Sequence, residues 1–169
     1  ELLNNNIINE NYILQEMAGT DSNEFTCTTI KVGEKVSKPL MLRRTLRAGD
    51  TFQAELESIK PVEGFLTEIT KKLNQFGSCN YQLRIKNDIP YVFEINPRFS
   101  GTTPFLSALG FNPVEFFIKA NLGMDYKYII KKNKIVLRSW SEMIVDKSMI
   151  KLIEKNKRGT PTEINRSIL

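Results

Sequence analysis

The chain has 169 residues, 41% of them hydrophobic and 25% charged, with a formal net charge of +5, so it can bury one substantial core and reads as one lobe plus an extension. It has no histidine, and its two cysteines, Cys27 and Cys79, stand far apart with no CxxC, which excludes His-based triads and His-ligated zinc within the chain. The cysteines read most simply as reduced core residues of a cytoplasmic protein, with a single bridge left open.

No stretch is apolar and long enough to span a membrane. The first residues, ELLNNNIINE, show neither an initiating Met nor a signal pattern, so the chain reads as starting in the middle of a longer one. The positive charge favours an anionic partner, and nucleotide phosphates suffice. Nucleic acid is disfavoured, because the Lys and Arg residues are spread out and no aromatic-basic motif of the RNA-binding kind is present.

In chain order, Asn11 to Met17 reads as a strand, Ala18 to Asn23 as a loop, and Glu24 to Val32 as a second strand with Phe25, Cys27 and Thr29 on one face. Gly33-Glu34-Lys35 is a turn, and Pro39 to Leu46 a third strand ending in the basic residues Arg43, Arg44 and Arg47. Such a cluster suits a phosphate, although basic residues at strand ends also serve as a solvated edge. Ala48-Gly49-Asp50 turns into a fourth strand, Thr51 to Ile59. Pro61 then opens a helix whose Val62, Phe65, Leu66, Ile69, Leu73 and Phe76 fall three and four apart, with Gly77 as its C-terminal cap.

Two alternating runs follow. Tyr81, Leu83 and Ile85 oppose Asn80, Gln82 and Arg84, and Tyr91, Phe93 and Ile95 oppose Val92, Glu94 and Asn96. A two-residue Asn87-Asp88 loop would set Gln82 against Phe93, so an odd loop, Asn87-Asp88-Ile89, is expected, widened or bulged if Ile89 resists a left-handed backbone. It pairs Tyr81 with Ile95, Leu83 with Phe93, Gln82 with Glu94 and Asn80 with Asn96. One carboxylate and its amide neighbours then share a face, an all-oxygen set suited to a hard cation that keeps waters and shares substrate phosphates. Arg98 follows on that side, and Thr103-Pro104 offers a helix start suited to anions.

Beyond lie a short helix near Pro104 to Leu109 and another capped by Asn112-Pro113, with an apolar stripe of Val114, Phe117, Ile118 and Leu122 ending at Gly123. Lys134 to Val145 suggests one more strand, Ser148 to Lys157 a short amphipathic helix, and the last residues a loop. The expected architecture is α+β, a mostly antiparallel sheet with helices packed on one face, divided into residues 1–124 and an extension, 125–169.

The spacing of Gln82, Glu94, Asn96 and Arg98 within FEINPRFSG, continued by SALGFNPVEFFIKANLG, resembles the metal-binding C-terminal half of the ATP-grasp superfamily, in the branch containing carbamoyl-phosphate synthase large subunits and carboxylate–amine ligases. The resemblance implies ATP with Mg²⁺ or Mn²⁺ as cofactors and activation of a small carboxylate or bicarbonate as an acyl phosphate. It also implies roles: Gln82, Glu94 and Asn96 as metal ligands, Arg98 as the catalytic cation, backbone around Glu16, Met17 and Ala18 on the adenine edge, Glu24 on the ribose, and Arg44 or Arg47 on phosphate. The chain departs from the full pattern in lacking the upstream lobe with its lysine-bearing strands and glycine-rich flap, so that lobe is an expected partner. A degenerate module that binds nucleotide without turnover and a dimerisation module built on the extension with Trp140 and Met143 are the alternatives.

Overall fold

The computed structural model describes residues 16–139 and 146–156. It contains strands β1 (Glu24–Val32), β2 (Lys35–Val36), β3 (Leu40–Arg47), β4 (Asp50–Glu57), β5 (Gly77–Lys86), β6 (Ile89–Asn96) and β7 (Ile135–Leu137), and helices α1 (Lys60–Lys72), α2 (Thr103–Ala108), α3 (Pro113–Asn121) and α4 (Lys147–Asn156). The expected first strand falls mostly outside the described residues, as do 140–145, with Trp140 and Met143, and everything from residue 157 onward. The first compact unit runs through Leu137, past the expected division at residue 124, and α4 belongs to a second unit beginning at Arg138.

The strands form one sheet in the order β6-β5-β1-β3-β4-β7, with β2 on β1, and every pairing is antiparallel. Because paired residues share a face, the registers Cys27↔Met41, Cys27↔Tyr81 and Phe25↔Leu83 gather these side chains on one side. There they meet Val62 and Leu66 of α1 in a sealed core. Each fully buried aliphatic side chain of this kind contributes about 1.5–3 kcal/mol.

A buried hydroxyl cluster in that core is satisfied. Thr70 donates to the Leu66 carbonyl at 2.6 Å, while the Thr29 and Tyr81 hydroxyls lie 2.9 Å from its oxygen. Burial pushes the Tyr81 phenol up to about 12 and raises the Cys27 and Cys79 thiols as well. Both cysteines are free and buried, as their reading as core residues requires.

Helices also occupy the second face, but only one end of it. Phe105, Leu106 and Leu109 of α2 and its C-terminal end, with Phe111, pack on Ile30, Leu40, Leu42 and Ala54. Phe116, Phe117, Tyr126, Ile130 and Val136 close the edges, which is why residues 125–137 stay with the first unit. The other end of this face is left open.

Three local expectations are corrected. Helix α1 stops at Lys72, because Asn74 takes a positive φ of 46° before Gly77 does at 90°, which leaves Phe76 off the helix and exposed. On α3 the inward residues are Phe116 and Phe117, whereas Val114, Ile118 and Leu122 face solvent. Its start is as expected: the Asn112 side chain accepts from the Val114 and Glu115 amides at 3.1 and 3.2 Å.

The third correction concerns the β5–β6 hairpin. Its loop is two residues, Asn87 and Asp88, both at positive φ (53° and 60°), the backbone of a tight hairpin turn. The odd residue is absorbed further along, where the register shifts and Leu83 pairs with Val92 instead of Phe93. Beyond that bulge, toward Asn96, the expected pairs Tyr81↔Ile95, Gln82↔Glu94 and Asn80↔Asn96 all form. Before it parity is inverted: Val92 packs on the α1 core, and Tyr91 lies opposite Arg84 on the other face.

Candidate functional site

The uncovered end of the second face is polar, because β1, β3 and β5 each send alternate residues to it: Glu24, Arg44, and Gln82 with Arg84. Register sets Glu24 beside Arg84. Each oxygen of the Glu24 carboxylate is gripped by one guanidinium. Arg44 donates through Nε and Nη2 to Oε1 at 3.1 and 2.9 Å, and Arg84 donates through Nε and Nη2 to Oε2 at 3.1 and 3.0 Å. A carboxylate offers about four lone-pair sites, and four N–H groups fill them.

Both arginines reach further. Arg84 Nη2 lies 2.6 Å from Asp21 Oδ1, on the loop preceding β1, and Arg44 Nη2 lies 2.6 Å from Gln82 Oε1. Glu24 and Arg44 are buried, an environment in which charges persist only when paired and hydrogen-bonded.

Around this cluster lies a pocket of about 750 Å³, lined by Glu16, Met17 and Ala18 of the segment leading into β1, by Glu24, Arg44, Gln82 and Arg84, and by Tyr91, Val92 and Phe93 among others. The loop before β1 is seated on the floor: a Cβ at Gly19, whose φ is +70°, would come within 3.2 Å of Arg84 Cβ. Six residues singled out from the sequence, Glu16, Met17, Ala18, Glu24, Arg44 and Gln82, therefore share one cavity. Arg47 does not; its guanidinium lies over the Phe52 ring, 5.4 Å from the centroid.

Glu94 and Asn96 stand beside the pocket on the edge strand β6. Asn96 Nδ2 donates to Glu94 Oε1 at 2.6 Å, which leaves Glu94 Oε2 and Asn96 Oδ1 as oxygens without a partner among the described residues. These two fit a hard cation completed by water and phosphate oxygens. Among the described residues no three His, Cys, Asp or Glu side chains gather into a cage. Gln82, directly across from Glu94, does not fit in its present arrangement, because its carbonyl oxygen is turned to Arg44. Arg98 donates from Nη1 to the Phe99 carbonyl at 3.1 Å and lines no part of the pocket.

Arg84 and Tyr91 are among the lining residues that sequence reasoning passed over, with Leu46, Gly49, Val92 and Phe93. The alternation of Asn80, Gln82 and Arg84 carried the signal for Arg84. Tyr91 had none, since only the bulge turns it to this face.

Residues 17–144 match the family described as "ATP-grasp in the biosynthetic pathway with Ter operon". The carbamoyl phosphate synthase large chain of Thermoplasma volcanium is 41% identical over 69 residues, 40% of this chain and 6% of that one. Its counterpart in Pseudothermotoga lettingae is 34% identical over 83 residues, 48% of this chain and 7% of that one. The chain thus matches only a small part of the length of these relatives. In fold it is similar to the phosphoribosylaminoimidazole carboxylase ATPase subunit of Aquifex aeolicus, with a TM-score of 0.52 at 16% identity over 80% of this chain and 42% of that one. With the family match beginning at residue 17, crossing every strand of the sheet and covering most of the chain, the protein belongs to the ATP-grasp family.

Proposed function

We propose that this chain is the nucleotide- and metal-binding part of an ATP-dependent carboxylate–amine ligase of the carbamoyl-phosphate synthase type. The observation that carries the reading is the meeting of Glu16, Met17 and Ala18 with buried Glu24, Arg44 and Gln82 in one open cavity beside Glu94 and Asn96. Adenine would lie along the backbone of Glu16 to Ala18, with Tyr91 and Phe93 as apolar walls and the phosphates directed toward Arg44 and β6.

A bound Mg²⁺ or Mn²⁺ would neutralise phosphate oxygens, and Glu94 Oε2 with Asn96 Oδ1 would hold it. The chemistry is transfer of the γ-phosphoryl group of ATP to a carboxylate or bicarbonate oxygen, releasing ADP, followed by attack of an amine on the acyl carbon with loss of phosphate. This chain's part is to orient ATP and to place positive charge where negative charge collects. Arg98 would serve the acyl phosphate after turning from the Phe99 carbonyl. A further lobe closing over the phosphates is part of the proposal.

The test is ATP turnover by the full-length protein with a panel of small acids and amines. ADP formation that depends on both co-substrates is the expected result. A protein that binds nucleotide but forms no ADP with any pair would support the alternative, a non-catalytic nucleotide module, to which the Arg44–Gln82 bond lends some weight.

A further inference from the structure

The Arg44 guanidinium sits where two of the proposed ligands need to be vacant. Its Nε and Nη2 saturate Glu24 Oε1, and the same Nη2 holds Gln82 Oε1 at 2.6 Å, the shortest contact it makes. The amide orientation follows from charge, since a guanidinium N–H repels an amide NH₂ and attracts the carbonyl oxygen. The only carboxylate of the proposed cation set, Glu94, lies across from that amide, so a divalent cation arriving there would share an oxygen with an existing positive charge.

We propose that Arg44 is a positioning residue that makes cation binding conditional on nucleotide: it plugs the ribose acceptor and the metal amide together, and withdraws from both when phosphate oxygens offer it a better partner. This rests on the ligase reading above. One movement of one side chain would free Oε1 of Glu24 for a hydroxyl and Oε1 of Gln82 for the cation. Glu24 would meanwhile stay anchored by Arg84, whose contacts lie entirely on the other oxygen and on Asp21. Until nucleotide arrives the cation has two protein oxygens and an adjacent positive charge, and binds poorly.

The experiment measures Mn²⁺ binding to the full-length protein by the loss of the free-ion EPR signal, with and without a non-hydrolysable ATP analogue. Wild type should bind Mn²⁺ weakly alone and on the order of tenfold more tightly with the analogue, within the usual range of coupling between two sites. Arg44→Met should tighten nucleotide-free Mn²⁺ binding and shrink that coupling. A folded Arg44→Met protein with unchanged nucleotide-free Mn²⁺ affinity overturns the proposal. If the variant does not fold, ¹⁵N-arginine NMR of wild type decides instead: the Arg44 Nε–H resonance should move when analogue and Mg²⁺ are present together and stay in place with Mg²⁺ alone, and an equal shift with Mg²⁺ alone overturns it. Mn²⁺ that fails to bind wild type even with the analogue overturns this inference together with the ligase reading, whereas coupled binding in wild type without a gain in the variant overturns this inference alone.

Discussion

On the face under α1, the strands present Phe25, Cys27, Met41, Tyr81 and Leu83, all almost completely removed from water. On the opposite face, the neighbouring residues of the same strands are Glu24, Arg44, Gln82 and Arg84. The first set is held chiefly by buried area, with the Tyr81 hydroxyl bonded to Thr70 as its polar exception, and its apolar members tolerate exchange for another apolar group of similar volume. The second is held by mutual neutralisation, so its members stand or fall together. A period of two lets one sheet do both, and α2 and α3 leave the polar end open because they cover only the rows of Ile30, Leu40 and Leu42.

The largest effect that would break this comparison is expected from the polar face. In Glu24→Gln, one amide oxygen must serve two guanidinium groups, and two positive charges are left facing each other. Breaking a buried pair costs roughly 3–5 kcal/mol, read as a lower midpoint in denaturant unfolding. A loss below about 1 kcal/mol, the range of surface pairs, would show that water already screens the cluster.

Leu66→Ala probes the other face. It removes a fully buried side chain beneath α1 and should cost about 2–5 kcal/mol, with no effect on nucleotide binding beyond that of lost stability. Selective loss of nucleotide affinity at full folding would mean that the two faces are coupled.

Alkaline unfolding sharpens the contrast further, because the apolar face holds the groups whose burial raises their pKa. The Tyr81 phenol titrates near 12 when folded and near 10 in an unfolded chain, so the folded state retains the proton longer. Its contribution is fully present below pH 10 and is lost as pH rises through about 12. Tyr81→Phe should flatten the decline of stability between those values, leaving the part due to Cys27 and Cys79, and should cost about 0.5–1.5 kcal/mol at neutral pH for the hydroxyl bond to Thr70. An unchanged alkaline profile would show that Tyr81 does not report the buried face.

Much of this arrangement was legible in the residues. The alternations in β1 and β5 assign both faces, and the chemistry of Gln82 opposite Glu94 selects the register toward Asn96. The bulge was not legible, since a sequence shows that one residue is extra but not where the ladder absorbs it; Phe93 and not Ile89 takes up the slack. The exposed side of α3 was misread because Val114, Ile118 and Leu122 make as good a helical stripe as Phe116 and Phe117 do. The Arg44–Glu24–Arg84 bridge depends on the strand order β5-β1-β3, which joins residues 20 and 60 positions apart and leaves no trace in local pattern.

Glu94→Gln should have the smallest effect on folding and a large one on chemistry. Glu94 is exposed, its one partner among the described residues is the Asn96 amide, and Arg98 bonds the Phe99 carbonyl instead of pairing with it. A glutamine oxygen can accept the same Asn96 hydrogen bond, so the change removes a hydrated charge and little else, and surface substitutions of this kind alter stability by about 0.5 kcal/mol or less. For a cation, however, the carboxylate is the one formal negative charge among Gln82, Glu94 and Asn96, and the neighbouring arginines make that charge more necessary. Turnover and thermal unfolding measured on the same full-length variant separate the two roles: a protein that unfolds with wild-type and has lost ATP-dependent ligation supports Glu94 as a ligand, while full activity would move the cation elsewhere, and a large fall in Tm would make Glu94 part of the scaffold.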